Sequence, residues 1–125
     1  MAEERILIVC GEPARQGLLR LWLEAAGYRN LRSAGSGGEA LAWARSEPPD
    51  CVVLDGDLPD LSGPELCRRL RGARVVLLAA EPGSRARGLQ SGACEVAVRS
   101  DSPDELLAAL AAALGRPREE PPRLA

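Results

Sequence analysis

Residues 49–66 read PDCVVLDGDLPDLSGPEL. Within them CVVL, Cys51 to Leu54, is a short apolar and β-branched run of the kind buried on both faces of a parallel sheet, and it stops at Asp55. The loop through Gly63 and Pro64 has turn composition, after which Leu66, Cys67 and Leu70 recur at helical spacing. A strand that ends in a carboxylate and turns into a helix sets the frame for the rest of the chain.

Upstream, Arg5 to Cys10 reads RILIVC, a second buried strand ending at Gly11. Pro13 suits a first helical turn, Leu18, Leu21, Trp22 and Ala25 follow at helical spacing, and Gly27 offers a left-handed stop. Leu31 to Ala34 alternates in polarity, as an edge strand can, and Ser36 is placed to cap a helix carrying Ala40, Leu41, Trp43 and Ala44 that ends at Pro48 and Pro49. Downstream come a strand over Val75 to Ala80, a short helix over Ser84 to Gln90, a strand over Glu95 to Arg99, and a helix from the cap Ser102 to Leu114. Five strands alternating with five helices predict an α/β fold, a doubly wound five-stranded parallel sheet.

A length of 125 residues fits one domain, expected over residues 1–114, with GRPREEPPRLA at 115–125 as a flexible Pro, Arg and Glu-rich tail. All 16 basic residues are Arg and there is no His, which removes lysine chemistry and the commonest general base, so an enzyme is not expected. The net charge of −2 and the scattered Arg residues argue against nucleic acid. The apolar run Leu106 to Leu114 is half of what a bilayer span needs, and no signal-peptide head is present, so no membrane partner and a cytoplasmic location are expected. Cys10, Cys51, Cys67 and Cys94 have no CxxC spacing and read as buried thiols in a reducing compartment. Cys10 and Cys51 fall at opposite ends of their strands, about 13 Å apart, too far for a disulfide.

Over residues 5–114 the chain resembles a response-regulator receiver domain of two-component and phosphorelay signalling. The resemblance lies in the strand ending at Asp55, the Leu58-Pro59 dipeptide and Gly63 before the third helix, with Gly27-Tyr28, Gly38-Glu39-Ala40-Leu41 and Gly92-Ala93 in support. It implies a flavodoxin-like sheet of order 2-1-3-4-5 with the site at its carboxyl edge. It also implies that Asp55 holds the phosphoacceptor position, where the family's carboxylate attacks a phosphoryl group beside a magnesium ion.

The surrounding positions depart from the family pattern. Where the family has an acidic pair after the first strand this chain has Cys10 and Gly11, with Glu12 next; Ala79 replaces the family's Thr or Ser; Arg99 and Ser100 replace Lys and Pro; and Val96 replaces the aromatic of the switch. Magnesium prefers hard oxygen ligands, so only Asp55, with Glu12 and Asp57 through water, would remain for a weak site. Glu12 in a first turn is also what a helix dipole favours. Asp55 reads as a relict carboxylate held by loop amides.

These departures favour a stand-alone atypical receiver that acts by protein contact, without a cofactor, toward a signalling protein or histidine kinase. The resemblance also implies a homodimer through the expected fourth helix, fifth strand and fifth helix, a face that receivers often use; Leu107, Ala108 and Ala112 point away if Leu106, Leu110 and Leu114 face the sheet. The alternatives are an active phospho-receiver using Asp55 with magnesium, and a redox-responsive module through Cys10. A carboxylate beside Cys10 works against the last, because it disfavours the thiolate.

Overall fold

The computed structural model describes residues 4–56, 58–70, 72–79, 92–93 and 95–115. Strands β1 (Arg5–Cys10), β2 (Asn30–Ala34), β3 (Cys51–Asp55), β4 (Arg74–Ala79) and β5 (Glu95–Val98) form one sheet of order β2-β1-β3-β4-β5. Every neighbouring pair is parallel. The helices among the described residues are α1 (Pro13–Ala25), α2 (Gly37–Ser46), α3 (Gly63–Arg69) and α4 (Asp104–Leu114). The helix expected at 84–90 and the tail at 116–125 lie outside the described residues. The sheet order and the flavodoxin-like α/β architecture are as the sequence leads one to expect.

The strands divide the core into two layers by their two-residue period. Ile6, Ile8, Cys10, Cys51 and Val53 face α1 and α4, packing on Leu19, Leu23, Leu106 and Leu110. Leu7, Val9, Val52 and Leu54 face the opposite side with Ala40 of α2 and Leu66 of α3. Because both faces are covered, β3 is buried at every position, which is why CVVL has no polar alternation. Asp55 shares parity with Cys51 and Val53 and therefore turns toward α1.

The phase of α1 differs from the expected one. The helix buries Arg15, Leu19 and Leu23, leaves Leu21 60% exposed, and keeps Leu18 and Trp22 only half-buried. Leu18 with Leu21 and Leu19 with Leu23 both satisfy helical spacing, and the two stripes differ by a rotation of about 100°. Periodicity cannot choose between them; packing on the sheet does. On α4 the expected inward residues hold for Leu106 and Leu110, but Ala109 and Ala113 join them, and Leu107 is half-buried against the same core instead of pointing away. Ser102 does act at this start, its Oγ accepting the Asp104 N–H at 3.2 Å, although Pro103 holds the cap position.

Ser36 caps α2 as expected, accepting the Glu39 N–H at 3.1 Å, while the Glu39 carboxylate accepts the Gly35 N–H at 2.8 Å. Gly27 has φ of 100°, and the following Tyr28 N–H reaches the Leu23 carbonyl at 3.0 Å, closing α1. A second anchor joins the β3–α3 loop to α2: the Asp60 carboxylate accepts the N–H groups of Gly37 at 2.8 Å and Gly38 at 2.9 Å. Leu61 lies so close that a Cβ at Gly37 would collide with it.

The Gly37 and Gly38 amides hold the Asp60 carboxyl below its ordinary value of 3.8. A depressed folded pKa gives stabilisation that is full above the unfolded value and is lost as pH falls through the folded one. Amide exchange at Gly37 and Gly38 is accordingly expected to accelerate in Asp60→Ala at neutral pH. The wild-type chain should approach the variant only in acid, as hydrogen exchange followed by NMR would register.

Candidate functional site

The carboxyl edge of the sheet brings Cys10, the last residue of β1, into register with Asp55, the last residue of β3. Asp55 is only 3% exposed and is turned by strand parity toward α1. Pro13 opens that helix, and its first buried position is Arg15, one and two turns before Leu19 and Leu23. Arg15 Nε donates to Asp55 Oδ2 at 2.7 Å, and its Nη1 donates to the Ser100 carbonyl at 2.9 Å. The same guanidinium lies over the Trp22 ring, 5.3 Å from its centroid, a cation–π contact.

Arg99 follows β5, its backbone N–H bonded to the Ala79 carbonyl at 2.7 Å. Its Nε stands 3.3 Å from Asp55 Oδ1, and its Nη2 donates to Glu12 Oε1 at 2.9 Å. Oδ1 accepts no hydrogen bond among the described residues, so Arg99 supplies charge there without a directed bond. Gln16, next to Arg15, ties the edge down by donating through Nε2 to the carbonyls of Cys10 at 3.0 Å and Ala34 at 3.2 Å.

Two carboxylates, Asp55 and Glu12, thus meet two guanidiniums, Arg15 and Arg99, and these four described side chains balance in charge. The pairs are not equal. Glu12 and Arg99 have side chains 65% and 40% exposed, so water and salt screen them and they contribute under about 1 kcal/mol. Arg15 and Asp55 have side chains 8% and 1% exposed, and their short charge-assisted bond operates with little screening. Desolvation offsets much of that attraction, so the pair specifies an arrangement more than it adds stability, while loss of one partner strands the other.

One expectation is corrected here and another extended. Asp55 is held by arginine side chains, not by loop amides. Glu12 stands at the cap of α1, where the dipole favours it, but makes no capping bond; its carboxylate pairs with Arg99, a partner the local reading did not include. Gly11 is exposed beside it, and Ala79 is buried at the end of β4 and carries no side-chain donor. Val96 is buried against Leu77 on the α2 and α3 face. Asp57 lies outside the described residues. Arg15 and Gln16 went unread in the sequence, although Arg15 heads the spacing Arg15, Leu19, Leu23 that the phase correction of α1 exposes.

Cys10 Sγ is 3.5 Å from the Glu12 carbonyl and 3.9 Å from Asp55 Oδ2. Burial pushes its thiol up, and the Asp55 charge adds to that. Cys51 pairs in register with Ile6, four residues from Cys10, and neither cysteine is in a disulfide.

Among the described residues the donor set does not suit magnesium. That ion wants several oxygens at about 2.0–2.1 Å in octahedral array. Asp55 Oδ2 already binds a guanidinium, Glu12 is paired, and among the described residues no group of three or more His, Cys, Asp or Glu could hold a metal. A dication 4 Å from a guanidinium would be repelled by roughly 8 kcal/mol at an effective dielectric of about 20.

Residues 6–111 match the response regulator receiver domain. The chain belongs to that family. The receiver is 35% identical over 123 residues to the DNA-binding response regulator MtrA of Mycolicibacterium smegmatis, covering 94% of this chain and 54% of that protein. It is 38% identical over 124 residues to the phosphate regulon transcriptional regulatory protein PhoB of Rhizobium meliloti, covering 93% and 54%. The chain therefore spans about half the length of these relatives. Among solved structures it is similar to the response regulator TrrA of Thermotoga maritima, determined in complex with Mg(2+)-BeF, with a TM-score of 0.80, 33% identity and coverage of 88% of this chain and 98% of that one.

Two outcomes follow for the receiver. Asp55→Asn keeps the shape but strands the buried Arg15 charge, so urea unfolding should show a loss of roughly 1–3 kcal/mol. A gain in stability, as expected where a carboxylate sits among like charges, would contradict the pairing. The raised pKa of Cys10 leaves it protonated at neutral pH, and iodoacetamide should modify it far more slowly in the folded chain than in urea, by peptide mass spectrometry.

Proposed function

We propose that this receiver is a signalling module that works by protein contact and does not use magnesium-dependent phosphorylation of Asp55. The observation that carries this reading is the 2.7 Å bond from Arg15 Nε to Asp55 Oδ2, at an edge where Cys10 and Gly11 stand in place of an acidic pair. One carboxylate oxygen of Asp55 is engaged by Arg15, the metal donors are absent among the described residues, and Ala79 offers no hydroxyl to a phosphoryl group. A chain of this kind is not an enzyme and needs no cofactor. Its partners are a histidine kinase or another signalling protein, or a second copy of itself. The DNA binding named for MtrA is not assigned to these residues, whose net charge is −2. No helix among the described residues is long and apolar enough to cross a membrane.

A second reading, an active phospho-receiver, draws on the family and on Oδ1 of Asp55, which accepts no hydrogen bond among the described residues and faces Arg99. The two readings part on one experiment. With acetyl phosphate and millimolar magnesium, intact-mass measurement should find no Asp55-dependent adduct, and beryllofluoride should leave the backbone amide shifts unmoved. An adduct that disappears in Asp55→Asn would establish the second reading and end the first.

A further inference from the structure

We propose that Arg15 is a resident cation that takes the place of a divalent ion at this edge and sets the position of the segment after β5. The proposal deepens the function proposed above and rests on it. That reading says the acidic pair is missing; this one says that the vacated charge is supplied from within the chain, by a residue outside the family's site positions quoted earlier.

Three observations converge. Arg15 is the one basic residue among the described buried side chains, and its other buried neighbours on the helix, Leu19 and Leu23, are apolar, so its burial follows from a partner and not from the helix itself. Its fork joins two separate parts of the chain, Asp55 at the end of β3 through Nε and Ser100 beyond β5 through Nη1. Planar donors in fixed relation can serve both acceptors at once, which a lysine ammonium of the same reach cannot do with the same geometry. Third, among the described residues of the cluster the charges of Asp55 and Glu12 are matched by those of Arg15 and Arg99.

Arg15 also accounts for a change in kind at residues 10 and 11. A carboxylate at either position would have faced a metal in an acidic site; beside Arg15 neither is needed to neutralise the edge. The role of Arg15 is therefore positioning: it holds Asp55 on one side and the Arg99 to Asp101 segment on the other, in a single arrangement that no phosphoryl group or metal has to create.

The test adds carboxylates to the edge with and without the arginine. In the double variant Cys10→Asp with Gly11→Asp, magnesium titration followed by amide shifts should give no saturable response, because Arg15 still holds Asp55. Adding Arg15→Met should produce one at millimolar magnesium, with far-UV circular dichroism confirming the fold of each variant. An equal response in the double and triple variants would overturn the proposal, and so would the absence of a response in a folded triple variant. A second measurement needs no added carboxylate. In Arg15→Met alone, amide exchange at Arg99 and Ser102, whose N–H groups are bonded to the Ala79 carbonyl and Ser100 Oγ, should accelerate at least tenfold, and Arg15→Lys should restore only part of the protection. Unchanged exchange in Arg15→Met, or full rescue by Arg15→Lys, would sink the proposal. These outcomes are separable from phosphorylation of the wild-type chain, which would end the proposed function by itself.

Discussion

The structure's carboxyl edge depends on one buried ion pair, Arg15 with Asp55. A carboxylate that is 3% exposed needs a compensating charge, because desolvation of an isolated anion costs far more than a small domain's net stability. In a metal-binding edge that compensation comes from an ion in solution and so varies with its concentration. Here it comes from a side chain covalently part of α1, and the compensation is always present. Two further groups meet the same pair: Ser100 turns its carbonyl to the same guanidinium, and Arg99 faces the second carboxylate oxygen while reaching out to Glu12.

The two-layer architecture explains why such a pair can be built without weakening the fold. The residues that fill the sheet's two faces are aliphatic and continuous, and the ion pair sits at the rim, where β1 and β3 end and the covering helix begins. Gln16 closes the adjacent carbonyls of β1 and β2. At the neighbouring corner Asp60 does the same for the first amides of α2, so the loops on this edge are held by side chain to backbone bonds and not by packing alone.

Much of this was readable in advance. The apolar runs at Arg5 to Cys10, Cys51 to Leu54 and Val75 to Ala80 announced strands buried on both faces, and Ser36 and Gly27 marked helix ends by chemistry that is local. The site was readable only in part. Asp55 stands out because a carboxylate closes an apolar strand, and Cys10, Gly11, Ala79 and Arg99 could be placed around it by resemblance. Arg15 could not, because an arginine early in a helix is nearly always solvated, and the neighbouring Leu18 and Leu21 advertised a different buried stripe. Glu12 was legible only in part for a related reason: the helix-dipole account is a local one, and its partner Arg99 lies 87 residues away.

The amino-acid sequence by itself determined the order of the described elements, the parallel sheet, the aliphatic core and the presence of an unusual carboxylate where a strand ends, since each follows from periodicity, capping and the alternation of strands with helices. Only the tertiary structure decided what that carboxylate meets. Helical spacing leaves the rotation of α1 undetermined by one residue, and docking on the sheet resolved it toward Leu19 and Leu23. That rotation carried Arg15 inward onto Asp55, a contact between residues 40 apart in the chain that no local pattern encodes.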